Sequence, residues 1–475
     1  MRISNLFGGA ALALALSACV AIEETGVIAP VAEAETETEI ETVETKPEAP
    51  ALAVKVHDGE FATIQQFVTP AGISVWLVEE PSIPILSLRM AWEAGEVNDP
   101  DGLKGLTDAM VYHMNEGAGD LDAQAFFKRM EELNMSFSCG ASQESTYCNS
   151  SMLTDNAAES FDMIALAFAD PRFDDGPFER FLREQEVGLN TRETNPQYLA
   201  ARARRAALYP DHPYSLEVTA ESLEALTQDA MRSQKDKLMV REGMLVTAVG
   251  AISPEALAPL IDKAVAGLPE TSETIEGEEI ILTAAAAEPI AIDLPQPQSL
   301  VTFAGPAMKR EDPDFYTAVV LNYTFGGGGF ESRLMKDLRV DKGLTYGVYT
   351  SVSAGDKLQI WSGGGQTKNE SAGEFIQGIR DNMTAMVLDG MNEEELADAK
   401  SYLTGSYPLG FDSNAKIAAN MMGVRLDGLP VDFFDKRNAM VEAVTLEDVN
   451  RVAREYLNPD SFTFIVVGEP EGLDG

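Results

Sequence analysis

Histidine and cysteine are scarce in this chain of 475 residues, which holds three of each. Zinc and most other transition-metal sites draw on these side chains, so any metal chemistry has to be borrowed from elsewhere. Basic residues are also few: 35 Lys and Arg stand against 77 Asp and Glu, a formal net charge of −42. Residues 1–48 contain two cations and nine Glu, so the remainder still carries −35. A body that acidic repels phosphate backbones and anionic lipid, which argues against nucleic acid as a partner. Beyond the N-terminus no apolar run is long enough to span a bilayer. What is present is ordinary: 45% apolar and 24% charged residues, the balance of folded globular proteins, in a length that suits more than one domain.

The N-terminus reads as an address. Arg2 precedes an apolar stretch, Leu6 to Leu16, that is too short for a stable transmembrane helix but right for a signal-peptide core. It ends in Leu16-Ser17-Ala18-Cys19, which resembles the lipobox of bacterial lipoproteins. The resemblance implies a signal peptide over residues 1–18 and acylation of Cys19. Residues 20–50 carry nine Glu, one Lys and no aromatic residue, too little apolar surface to offset the entropy of ordering. Residues 19–55 are therefore expected to form a disordered tether, tens of ångströms long at roughly 5–6 Å × √n. Val20, rather than Asp, follows the Cys. By analogy with lipoprotein sorting, this points to the outer membrane of a bacterial cell envelope, with a periplasmic body touching the membrane through lipid only.

Cys139 and Cys148 lie in a segment that reads as two strands around a turn near Gln143-Glu144. A symmetric turn there makes facing residue numbers sum to 287, which pairs the two cysteines. A cross-strand disulfide suits an oxidising periplasm; two buried free thiols fit the sequence equally well.

Two distant stretches share one pattern. Thr227–Gly250 and Thr445–Gly468 align without a gap at an offset of 218 residues. In each, Thr opens a helix that ends near Leu238 or Tyr456, and a turn then leads into an apolar strand closing on Gly. Earlier, Ile73, Val75 and Leu77 alternate as a strand, residues 85–92 give another, and Leu103, Leu106, Met110 and Met114 form a helical stripe. In the second half Leu300–Phe303 reads as a strand, and Asp312-Pro313 as the cap of a helix bearing Tyr316, Val319, Val320 and Tyr323. Longer helices are expected over 156–168, 177–194 and 394–405. The fold class is therefore α+β, with two homologous domains, each a mostly antiparallel sheet packed with helices. Expected boundaries are 56–275 for the first domain, 276–292 for a linker without amphipathic pattern, and 293–475 for the second.

Several segments together resemble the pitrilysin/insulinase superfamily of zinc peptidases, in its two-domain bacterial and mitochondrial-processing form. These are Gly95–Leu106 (GEVNDPDGLKGL), Asp170–Phe173 (DPRF), Leu208–Tyr214 (LYPDHPY) and Ser332–Tyr346 (SRLMKDLRVDKGLTY). The resemblance covers nearly all of residues 60–470. Members that cut peptides carry H-x-x-E-H on a helix, two His for zinc and a Glu that activates water. The corresponding positions here hold Asp108, Val111 and Tyr112, so ligands and base are both missing. His113 is one residue out of register and is expected to pack at the helix edge. The third ligand, a Glu in the family, should fall near Leu189-Asn190-Thr191, where no carboxylate stands.

The second half retains something else. Arg339 and Tyr346 have the spacing of the superfamily's Arg/Tyr pair, which contacts substrate and the developing oxyanion. Read without the family, Arg339 near a helix end at Gly343 complements the helix dipole, and Tyr346 begins a strand with Val348, Thr350 and Val352. The Gly326–Gly329 run lacks the Gly-Lys-Ser/Thr ending of a phosphate loop and reads as a flexible or close-packed turn. The resemblance thus implies a chain that binds no metal or cofactor and is inactive alone. It would pair with a related catalytic subunit carrying H-x-x-E-H and zinc, and lend Arg339 and Tyr346 in trans to the cleavage of peptides or unfolded polypeptides. A non-catalytic scaffold and a peptide-binding lipoprotein are the competing expectations.

Overall fold

The computed structural model describes residues 52–272 and 279–473; the signal peptide, Cys19 and nearly all of the tether lie outside them. Strands β1 (Lys55–Asp58), β2 (Thr63–Val68), β3 (Ser74–Glu79), β4 (Ile85–Trp92), the short β5 (Gly117–Ala118) and β6 (Leu121–Asp122), β7 (Ser136–Ala141), β8 (Thr146–Leu153) and β9 (Leu245–Gly250) belong to the first half. The second contributes β10 (Ile290–Asp293), β11 (Gln298–Pro306), β12 (Thr345–Ala354), β13 (Gln359–Lys368) and β14 (Thr463–Gly468). Apart from β5 and β6, they make two sheets, ordered β1-β2-β3-β9-β4-β8-β7 and β10-β14-β11-β13-β12. Among the described residues each sheet has a single parallel pairing, β3 with β9 and β10 with β14. The five-strand order β3-β9-β4-β8-β7 therefore recurs as β10-β14-β11-β13-β12, and the protein is two homologous α+β domains.

The sequence repeat lies at the centre of this symmetry. The helices Gln228–Leu238 and Leu446–Tyr456 begin at Thr227 and Thr445, whose hydroxyls accept from the amides of Ala230 and Asp448. They lead into β9 and β14, interior strands that each make their sheet's parallel pairing. The offset of 218 residues extends further: Asp175–Arg192 and Glu393–Gly405 start 218 apart, and Pro196–Leu208 and Asn414–Leu426 correspond at both ends.

That last pair of helices is exchanged between the domains. Asn414–Leu426 packs on β4 and β9 of the first sheet, where Ala418, Met421 and Val424 meet Trp76, Val78 and Val249. Pro196–Leu208 packs reciprocally on β11 and β14, with Leu199 and Ala200 against Leu300, Ile465 and Val467. Each sheet thus buries one face with its own helices and the other with a helix of its counterpart. Arg425 fixes the exchange. Its buried guanidinium donates to the carbonyls of Ser74 (3.0 Å) and Val246 (2.6 Å) and to the Ser74 hydroxyl (2.7 Å), and lies over the Trp76 ring. Burial pulls its pKa down to about 10.

A second tie joins the hairpin tips. Strands β7 and β8 pair with residue numbers that sum to 287, bringing Cys139 opposite Cys148, and the two sulfurs are bonded. At the tip of this hairpin Glu144 accepts from the Tyr214 hydroxyl (2.6 Å) and from the backbone amides of Asp356 (3.2 Å) and Lys357 (2.9 Å), at the turn between β12 and β13. The segment expected as linker is fastened as well. Ile280 and Thr283 bond to the backbone of Lys357 and Leu208, and residues from Ile290 already form β10. Leu52 and Val54, inside the segment expected as tether, pack against the first core.

Local departures from the sequence reading are small. Asp314, not Asp312, stands at the start of the helix Phe315–Asn322; the Asp312 carboxylate instead accepts from the Asp314 amide. The helix expected to stop at Gly343 is a π-helical turn, Met335–Asp341, in which the Lys342 amide reaches the Asp337 carbonyl. A second π-turn, Tyr323–Gly327, enters the glycine run.

Candidate functional site

The helix Leu106–Tyr112, where a catalytic member would bind zinc, is set firmly in place. Gly105 precedes it with φ 98°, a left-handed conformation suited to glycine. The Asp99 carboxylate then caps the helix by accepting from the amides of Gly105 (2.9 Å) and Thr107 (2.8 Å) and from the Thr107 hydroxyl (2.6 Å). A Cβ at Gly95 would lie 2.3 Å from the Ser142 carbonyl oxygen, so only glycine lets the loop approach the hairpin tip.

The positions themselves are filled with packing and surface polarity. Val111 is buried in the first core and Leu189 packs against it. Tyr112 accepts from Arg180 Nε (3.3 Å) and donates to Glu184 (3.3 Å), while Arg180 also pairs with Glu116 (2.7 Å). His113 is buried, with Nδ1–H donating to the Ala109 carbonyl (2.6 Å), and is ringed by Tyr112, Phe173, Phe178 and Phe181. Burial holds its pKa down, so the ring is neutral. Asp108 is the one carboxylate at the degenerate positions; burial first, and then the charges of Glu96 and Asp99, push its pKa up to about 6. One carboxylate, a phenol engaged in a hydrogen-bond network and a histidine enclosed by aromatics do not fit zinc. Among the described residues no group of three or more His, Cys, Asp and Glu could hold a metal ion.

Arg339 and Tyr346 come together at a different place. Both line a groove of about 540 Å³ in the second domain, beside the Gly326–Gly329 run. Arg339 sits in the π-turn Met335–Asp341, the kind of irregular turn that recurs at functional sites. Its guanidinium lies 4.3 Å from the centre of the exposed Phe330 ring. Tyr346 is 84% exposed. Strict alternation would place it on the same face as Val348 and Thr350, which are buried. A bulge between Thr345 and Val348 breaks the alternation: Thr345 pairs with Thr367 and Val348 with Gly365, leaving one extra residue on β12. Thr345 Oγ1 bonds Gly347 and the Gln366 carbonyl across the bulge. Tyr346 and Tyr349 consequently both point outward and line the same groove.

Three features of this site were not visible in the sequence. Phe330 carries the arginine, and its only signal is an aromatic residue closing a glycine run. Tyr349 joins the pair because of the bulge. Gln197 reaches the groove from the exchanged helix Pro196–Leu208. With one guanidinium, exposed phenols and no carboxylate, the site can donate hydrogen bonds to carbonyl oxygens and contact apolar groups.

Known proteins share the sequence pattern and the fold. Residues 74–222 match the family model for insulinase (peptidase family M16), and residues 225–403 match the one for the peptidase M16 inactive domain. The non-peptidase homolog YmxG of Helicobacter pylori is 23% identical over 86% of this chain and 94% of its own length. The uncharacterized zinc protease YmxG of Bacillus subtilis is likewise 23% identical, over 84% of this chain and 96% of its own. Among solved structures, a peptidase M16 inactive domain from Pseudomonas fluorescens superposes with a TM-score of 0.80 at 25% identity, covering 86% of this chain and 98% of that one. The periplasmic protease PqqL from Escherichia coli gives a TM-score of 0.75 at 16% identity, covering 90% of this chain and 48% of that one. The chain therefore belongs to the pitrilysin/insulinase superfamily of zinc peptidases, family M16, as a member whose helix Leu106–Tyr112 lacks the H-x-x-E-H motif.

Proposed function

We propose that this chain is the zinc-free complementary subunit of a heteromeric M16 metallopeptidase that acts on peptides or unfolded polypeptides. A related chain with intact H-x-x-E-H supplies zinc and the general base. This chain supplies Arg339 and Tyr346, which would donate hydrogen bonds to substrate carbonyls and to the oxyanion that develops in peptide hydrolysis, for which the zinc of the related chain would supply Lewis-acid chemistry. The observation that carries the reading is the contrast within one molecule: half-buried Arg339 and exposed Tyr346 line an open groove, while the helix that would hold their zinc is filled by Val111, Tyr112 and the enclosed His113.

With the partner present, Tyr346→Phe, which removes a single hydroxyl, lowers turnover by about 10²–10³ if that hydroxyl faces the oxyanion, without loss of assembly by size-exclusion chromatography. A fully active complex bearing both Arg339→Ala and Tyr346→Phe would instead leave a scaffold. The purified chain alone is expected to hold no stoichiometric zinc and to cleave no fluorogenic peptide.

The same reading places the protein in the periplasm, anchored through acylated Cys19 to the outer membrane. The bonded Cys139–Cys148 pair supports an oxidising compartment. Labelled fatty acid should enter the wild-type chain and not Cys19→Ser, and unchanged membrane fractionation of that variant would refute the anchor.

A further inference from the structure

The groove that holds Arg339 and Tyr346 has an unusual composition for this molecule. In a chain of net charge −42, its only charged lining residue among the described residues is Arg339, and no described Asp or Glu contributes to its wall. Its lining includes Leu300, Met335 and Val348, all three of them buried. Much of the remaining wall is glycine, with Gly326, Gly327, Gly347 and Gly365 contributing no side chain. Tyr346 and Tyr349 stand at the rim, 84% and 62% exposed. A concavity of about 540 Å³ with an apolar floor and a few polar groups is of a size and character that take a small ligand or a side chain.

We propose that this groove is a specificity pocket that admits a bulky uncharged side chain, aromatic or aliphatic, from a bound peptide and rejects Lys and Arg. This rests on the reading of the chain as a peptide-handling subunit and names the substrate class of the same site. The apolar floor gains from burying an aromatic or aliphatic group, and the two tyrosines offer their ring faces to it. A lysine or arginine side chain would lose water in a pocket whose one charge is a guanidinium of like sign, with no carboxylate to receive it. The acidic body attracts basic peptides in general, so the pocket discriminates against the charge that the rest of the surface favours.

Gly347 supplies the decisive variant. A Cβ built there meets nothing within 4 Å, and its backbone is not left-handed, so a larger residue fits the strand and occupies the groove. The experiment uses the purified full chain alone and fluorescein-labelled decapeptides that differ at one central position, Phe, Leu, Ala or Lys. Anisotropy titrations are run at about 0.5 M salt to screen the overall field. Phe and Leu peptides should bind at least tenfold more tightly than the Ala peptide, and the Lys peptide no more tightly than Ala. Gly347→Leu should erase the preference while keeping the wild-type unfolding midpoint, and Arg339→Glu should raise affinity for the Lys peptide. Equal affinities, no binding by any peptide, a Lys preference in the wild type, or a preference that survives Gly347→Leu would each overturn the proposal. The outcome separates from the function reading, because no partner is needed here. Turnover that depends on Tyr346 without side-chain preference removes only the pocket, and a preference without any effect of Tyr346 on turnover removes only the subunit role.

Discussion

The helix Leu106–Tyr112 and the π-turn Met335–Asp341 belong to domains with the same strand order, yet their side chains are disposed in opposite ways. In the first domain the positions that hold the zinc site in catalytic members are taken up by packing: Val111 in the core, Leu189 against it, and His113 behind four rings. In the second, large aromatic side chains stay in solvent at Phe330, Tyr346 and Tyr349. Once a zinc site loses its ligands, its buried polar positions are liabilities, and replacing them with apolar or hydrogen-bonded groups relieves the cost of desolvation. Exposed groups carry no such cost. They persist without stabilising the fold, and a contiguous exposed aromatic surface marks an interaction site.

This comparison breaks if the closed site is not structural or the open one is. Phe181, which packs on both Tyr112 and His113, is 2% exposed. Phe181→Ala should cost about 3–5 kcal/mol in urea unfolding, whereas Tyr346→Ala should stay within about 0.5 kcal/mol. Equal effects would erase the distinction between the two domains.

A middle-sized effect tests whether the domains can be considered apart at all. Arg425→Met leaves the carbonyls of Ser74 and Val246 without their donor, and a loss of about 1–3 kcal/mol is expected. Because Arg425 ties an exchanged helix to the first sheet, both domains should unfold together in calorimetry, in the variant as in the wild type. Two separate transitions would show that the exchanged helices do not couple the domains.

The smallest effect is a gain. Asp108 has its pKa raised from 3.8 to about 6 in the folded chain. Between these values the folded state holds a proton that the unfolded state has released, so stability falls as pH rises through the window. Asp108→Asn should therefore stabilise the protein by about 1–2 kcal/mol at pH 7 and have almost no effect at pH ~3, below the window. Chemical denaturation at the two pH values checks it, and destabilisation at pH 7 would mean that the carboxylate still has a partner worth keeping.

Much of this was legible in the chain. Local periodicity located β4 at residues 85–92, the helix Glu393–Gly405 close to its expected span, and the repeat at an offset of 218. Those signals are short-range, written in 2.0- and 3.6-residue spacing and in Thr caps. The absence of H-x-x-E-H was equally plain, because a ligand set is a matter of residue identity at fixed spacing. The turn at Gln143-Glu144 set the register of β7 and β8, since hairpin pairing follows from the position of its turn.

What the tertiary structure alone decided lies where distant segments meet. The exchange of Pro196–Leu208 and Asn414–Leu426 leaves no trace in either helix, because an apolar stripe does not say which sheet will cover it. The bulge at Thr345 reverses the face on which Tyr346 would otherwise lie, and it is fixed by pairing with β13. Arg339 acquires Phe330, and the groove acquires Gln197, only through folding. The sequence determined which chemical groups this protein possesses and which it has lost. Side-chain direction, exposure and company depend on long-range packing, and that is why one tyrosine stands in solvent beside a half-buried arginine while His113, at the end of the helix Leu106–Tyr112, faces four aromatic rings.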